Sequence, residues 1–197
     1  MPKIVDHEKR RKRIAKAMWK VILKKGMEGA TVRNIAQEAG LSLGALRHYF
    51  PNQDELIVYA MDLVQEKVKK RILTKANGDL PPKETVMNVL LDIVPINEEQ
   101  HIETEVWFAF MAHVKHRKDE LPIPEDGVFT VAQQAIHFLD THGQLKPGLD
   151  IDLEIERLYA VVDGIAVHAL LDSKRLNRQR MMKTIEYHLD SICVDSL

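Results

Sequence analysis

The chain has 197 residues, with 45% apolar content, 28 Lys and Arg against 29 Asp and Glu, and a single cysteine. That length supports one ample core or two small domains sharing a helix, and the composition is that of a soluble globular protein. The amino terminus enters charge without a signal-peptide core, and the longest apolar stretch, Leu158 to Leu171, is too short for a bilayer and contains Asp163 and His168, so a cytoplasmic protein without a membrane span is expected.

The near-zero net charge conceals an asymmetry. Residues 1 to 50 carry 12 Lys and Arg against 4 Asp and Glu, whereas residues 76 to 197 carry 11 against 21. The basic end suits a polyanion. Cys193 has no internal disulfide partner, which fits a reducing compartment.

From about His7 to Gly26, Ile14, Ala17, Met18, Val21 and Ile22 repeat at helical spacing. Lys9, Arg10, Arg11, Lys12 and Arg13 then occupy the first turns, the wrong end of a helix dipole for cations. A DNA backbone would compensate them through counterion release; a solvated basic face and a membrane-lying amphipathic helix are the other readings. Thr31 is an N-cap for a short helix with Val32, Ile35, Ala36 and Ala39 on its apolar side. Gly40 stops that helix, Leu41 turns inward and Ser42 caps the next, in which Leu46, Tyr49 and Phe50 form the packed face. Leu43, Gly44, Ala45, Arg47 and His48 are left to face outward.

Pro51 breaks the chain, and Asn52 with Glu55 has the form of a capping box opening a long helix to about Ala76. Such a helix belongs to both halves and can act as a lever. It is stopped by Asn77-Gly-Asp and Pro81-Pro82. Helical stretches follow at about Lys83 to Val94, Glu98 to Lys118, Pro124 to Thr141, Ile151 to Ser173 and Asn177 to Ile192, with no strand pairs or repeats. The fold class is therefore all-α with about nine helices.

Ile155 to Leu171 is apolar on nearly every side, and Met181, Met182, Ile185, Leu189 and Ile192 form a second stripe. The expected homodimer interface is Leu158, Val162, Ile165, Leu170, Met181, Ile185 and Leu189, forming a four-helix bundle with the partner; a central helix buried in a monomer is the alternative.

Gly40-Leu41-Ser42-Leu43-Gly44 matches the nucleophile elbow of hydrolases, but that elbow follows a strand and this one follows helical periodicity, so Ser42 reads as a cap and no enzyme is expected. His113, His116 and Asp119 could approach one helix face, yet the set lacks a further strong ligand nearby; no metal and no cofactor are expected. Trp107, Phe108, Phe110 and Met111 concentrate aromatic and adaptable surface on one helix, as a core or a ligand cavity would.

The run Thr31 to Phe50, followed by Pro-Asn-Gln-Asp-Glu-Leu, closely resembles the helix-turn-helix of TetR-family transcription regulators over about residues 8 to 68. Glu105-Val-Trp-Phe-Ala-Phe and Tyr159-Ala-Val-Val-Asp-Gly-Ile-Ala resemble the C-terminal domain of the BetI-like branch. The resemblance implies a three-helix DNA-binding bundle at residues 8–68, a ligand-binding and dimerisation domain at 69–197, and a homodimeric repressor released from a palindrome by a small-molecule effector. Double-stranded DNA and an unidentified effector are the implied partners. Arg47 has the fork for guanine O6 and N7, Leu43 and Ala45 can meet thymine methyls, and Gly44 permits close approach. Thr31, Arg33, His48 and Tyr49 match phosphate-contacting positions, and the cap at Ser42 can also hold a phosphate. Leu43 and Gln53 depart from the family's frequent lysines. An effector pocket beside Trp107, Phe108, Phe110 and Met111 is likewise implied by the resemblance.

Overall fold

The computed structural model describes residues 2–76, 79–116 and 126–194. Among them the chain is helical: α1 (Pro2–Lys25), α2 (Val32–Ala39), α3 (Leu43–Tyr49), α4 (Gln53–Ala76), α5 (Pro82–Leu90), α6 (Glu98–His116), α7 (Gly127–Thr141), α8 (Ile151–Leu171) and α9 (Arg178–Ile192). None of these helices is long and apolar enough to cross a membrane. The expected ends at Lys118 and Pro124 and the Asn77-Gly78 stop lie outside the described residues.

By contact the chain divides into two compact units, residues 1–67 with the part of α6 from Glu105 onward, and residues 68–104 with the chain from Glu125. Helices α4 and α6 each contribute to both.

In the first unit, α2 and α3 pack on α1 around Ile14, Met18, Ile22, Ile35, Leu46, Phe50, Leu56 and Ile57, all buried. Trp19 Nε1 donates to the Ala60 carbonyl of α4 at 3.2 Å, so its indole is satisfied inside this core. Helix α1 starts at Pro2, earlier than periodicity indicates, which corrects the dipole reading: Lys9 to Arg13 sit beyond the first turn, where the dipole has faded.

The second unit joins α7 to α8 and α5, and α9 to α5 and α8. Its core contains Leu90, Val94, Ile136, Leu139, Leu158, Val162, Ile165, Ile185, Leu189 and Ile192. Asp150 caps α8 through the Leu153 amide at 3.2 Å, and Asn177 caps α9 through Arg180 at 3.1 Å. Among the described residues an isolated antiparallel bridge, Leu145 with Cys193, ties the α7–α8 loop to the end of α9; periodicity gives no sign of it.

Of the expected dimer residues, Leu158, Val162, Ile165, Met181, Ile185 and Leu189 are buried in the core of the single chain together with residues of α5 and α7, and Leu170 is half-buried. The outward faces of the same helices instead carry Leu153, 63% exposed, Leu171, 76%, and Tyr187, 79%.

Two buried carboxylates, paired with partly exposed cations, hold the later part of α4. Arg71 grips Glu103 of α6 with both terminal nitrogens, at 3.0 and 2.7 Å, and Lys75 reaches Asp92 Oδ1 at 2.9 Å. Gln100 donates to the Leu91 carbonyl at 3.2 Å, fixing the turn that presents Asp92. Removing one partner of such a cluster leaves a buried charge, which is why it acts as a unit.

Candidate nucleic-acid interface

The turn between α2 and α3 is built by two caps and a glycine. Thr31 Oγ1 accepts the Asn34 amide at 3.3 Å and Ser42 Oγ accepts that of Ala45 at 3.1 Å. Gly40 sits at φ 67°, the left-handed conformation in which a side chain is strained, and the Leu41 amide folds back to the Ala36 carbonyl at 2.9 Å. Ser42 follows helix α2 rather than a strand, so the elbow motif is a helix cap.

Helix α3 buries Leu46, and Phe50 behind it is buried as well. The other side presents Leu43, Gly44, Arg47 and His48 exposed, with Ala45 half-exposed. A Cβ built on Gly44 meets no atom within 4 Å, so that face is open to a close-approaching partner. Arg33 and the Thr31 cap are exposed at the start of α2. Tyr49 is half-buried: the His7 ring of α1 lies 4.9 Å from it and that of His48 5.3 Å, and the two imidazoles are 6.3 Å from each other, so the three rings cluster. All nine residues expected to meet DNA therefore lie in α2, α3 or their caps.

Several supporting residues were not visible in sequence. Gln53, the departure from the family's lysine, donates to the Ala30 carbonyl at 3.1 Å and pins the start of α4 to the loop before α2. Arg13 donates to the Ala39 carbonyl at 3.2 Å, meeting an orphan acceptor at the end of α2. Glu38 draws in Lys24 at 3.1 Å. The Asn52–Glu55 pairing, by contrast, was legible in sequence: Asn52 caps α4 through the Glu55 amide at 2.8 Å while its side-chain amide donates to the Glu55 carboxylate at 3.0 Å.

The residues expected at an effector pocket are mixed. Phe110 is buried, whereas Trp107, Phe108 and Met111 are half-buried, with the Trp107 and Phe110 rings 6.4 Å apart. Of the considered metal ligands, Asp119 and the side chain of His116 lie outside the described residues; among those described, no group of three or more His, Cys, Asp or Glu is placed to hold a metal ion.

Comparison with known proteins bears directly on this geometry. A family described as bacterial regulatory proteins, tetR family, matches residues 14–60, and one described as BetI-type transcriptional repressor, C-terminal, matches residues 82–194. The chain is 57% identical over 195 residues to the HTH-type transcriptional regulator PksA of Bacillus subtilis, covering 99% of this chain and 95% of that protein. It is 24% identical over 191 residues to the HTH-type transcriptional regulator BetI of Stenotrophomonas maltophilia, covering 96% of each. A transcriptional regulator from Saccharomonospora viridis, solved in complex with choline, shares the fold with a TM-score of 0.78 at 16% identity, covering 95% of this chain and all of that one (100%). These matches span both halves of the molecule and include the helix-turn-helix itself. The chain belongs to the TetR family of DNA-binding transcriptional regulators, a non-enzymatic family, and its C-terminal half is of the BetI type.

Proposed function

We propose that the chain acts as a homodimeric repressor whose two recognition helices enter successive major grooves of a palindrome, about 34–36 Å apart. In this reading residues 8–68 carry DNA binding and residues 69–197 carry effector recognition and dimerisation. The observation that carries it is α3, anchored on its apolar side and open along Leu43, Gly44, Ala45 and Arg47. Arg47 reads a guanine through its fork; Leu43 and Ala45 meet thymine methyls. Thr31, Arg33, Ser42, His48 and Tyr49 hold phosphates and set the register.

The partner surface is the outward stripe of α8, supported by Leu153, Ala160, Gly164, Val167 and Leu171 falling on one helical face, with Tyr187 outward on α9. Gly164 has open space where a Cβ would stand, suiting close helix approach.

A small-molecule effector shifts the balance between a DNA-fitting and a non-fitting state, by as much as its affinity for the two differs. Trp107, Phe108, Phe110 and Met111 supply the apolar contacts. Arg71 and Lys75 couple α4 to the turn after α5 and to α6, so a change there is passed into the lever helix. Since a regulator of the same fold holds choline, and aromatic faces attract quaternary ammonium groups, choline is the first compound to assay.

The test is selection of bound fragments from random duplex DNA at moderate salt, with wild-type protein and Arg47→Ala side by side. A palindrome whose half-sites relax at one base pair in the variant is the expected outcome. No enrichment by the wild-type chain would remove the sequence-specific reading.

A further inference from the structure

The basic run of α1 does not behave as one set. Lys9, Lys12 and Lys16 are exposed, as phosphate-facing residues must be. Arg11 is enclosed instead. Its guanidinium carbon lies 4.7 Å from the centre of the Phe50 ring and 4.4 Å from that of Tyr59, and its Nε is shut off from solvent without a hydrogen-bond partner. The two rings are themselves 5.3 Å apart. Phe50 is the residue that ends α3, while Tyr59 belongs to α4 and donates its hydroxyl to Glu8 Oε1 of α1 at 2.6 Å. Three helices therefore meet at one cation.

We propose that Arg11 is a positioning residue for DNA recognition, fixing the C-terminal end of the recognition helix against α1 and α4 and neutralising no phosphate. This rests on the helix-turn-helix reading DNA, and needs neither the dimer nor the effector.

Helix α3 has only seven residues, too few to hold its shape in water unaided. Ser42 fixes its first turn and Leu46 its middle. The far end depends on Phe50, which is buried in the bundle with the Arg11 guanidinium over its ring. Arg47 stands one turn before Phe50, so its reach into a groove is set by how firmly that end is held. A bidentate contact tolerates little displacement, whereas phosphate contacts by flexible lysines tolerate more. Loss of Arg11 should accordingly cost operator affinity while sparing nonspecific affinity. An ammonium is a poor substitute, because it is compact and strongly hydrated where a guanidinium is broad, planar and weakly hydrated beside aromatic rings.

The experiment compares wild type, Arg11→Met, Arg11→Lys and Lys12→Ala on the selected operator and on an unrelated duplex across a salt series. Arg11→Met should weaken operator binding about ten-fold, leave the unrelated duplex unchanged and keep the slope of log K against log salt. Arg11→Lys should recover only part of that loss. Lys12→Ala should weaken both duplexes alike and flatten the slope by about 0.9. A flattened slope in Arg11→Met with equal losses on both duplexes, or operator affinity left intact, overturns the proposal. A measurement on wild type guards against a variant that fails to fold. In a nitrogen–proton NMR spectrum, the Arg11 Nε–H should be displaced by the two rings and should stay so when operator is added; movement to a phosphate-bonded position overturns the assignment. If wild type selects no duplex at all, the DNA reading falls with it, whereas an altered slope in the Arg11 variant defeats this proposal alone.

Discussion

At the scale of single residues, the recognition surface divides into side chains that hold α3 and side chains that α3 holds out. Arg47 is the second kind, and Arg47→Ala should cost roughly 1–3 kcal/mol of operator binding, concentrated at one base pair; a uniform loss over all sequences would make it a phosphate contact instead. Ser42 is the first kind, because its hydroxyl satisfies the Ala45 amide. Ser42→Ala should lower stability by about 0.5–2 kcal/mol in urea unfolding, and an unchanged midpoint would show that water replaces the cap at no cost. The caps and Gly40 were legible in sequence because their chemistry is local: an oxygen three residues from an amide, a glycine where φ turns positive. Arg11 and Gln53 were not. A charge or an amide shows its type in sequence, while its partner, the Phe50 and Tyr59 rings or the Ala30 carbonyl, is chosen by tertiary placement.

At the scale of elements, α8 shows both the power and the limit of periodicity. Its apolar residues nearly encircle it, so the sequence demanded cover on all sides without saying which side the chain covers itself. In the folded chain Leu158, Val162 and Ile165 are buried in the core that α8 shares with α7 and α9, while Leu153 and Leu171 stay exposed. The two faces have different consequences when altered. Leu158→Ala should cost about 2–5 kcal/mol of stability through transfer and cavity terms. If the proposed dimer forms through this stripe, Leu153→Asp with Leu171→Asp should leave helicity and monomer packing intact yet sediment as a monomer where wild type sediments as a dimer, and with it abolish tight binding to a two-half-site operator. A double variant that still sediments as a dimer would place the interface elsewhere. Helix number and order were readable because each of the nine described helices starts at a capping side chain or a proline; the assignment of the two parts of α6 to different units was not, since it depends on neighbours distant in sequence.

At the scale of the whole molecule, stability should respond to pH through one buried histidine. His188 on α9 is 6% exposed, and its Nε2 has no hydrogen-bond partner. Burial, then the neighbouring Arg157, lowers its pKa from 6.5 to about 4. Between those values the unfolded chain binds a proton that the folded chain refuses, so stability rises with pH across the window. The contribution is complete above the unfolded pKa of 6.5 and is lost as pH falls toward 4, up to about 3 kcal/mol. Asp163 works in the opposite sense: burial, then Asp126, raises its pKa from 3.8, so the folded chain holds that proton more tightly and stability declines as pH climbs from there. The two effects separate in a difference measurement, because Asp163 is common to both proteins. His188→Leu fits a site without a polar partner, and its unfolding free energy should lack the rise that wild type shows between pH 4 and 6.5. Parallel curves for the two proteins across that interval would mean that His188 becomes protonated without opening its site, and the acid sensitivity would then belong to other groups.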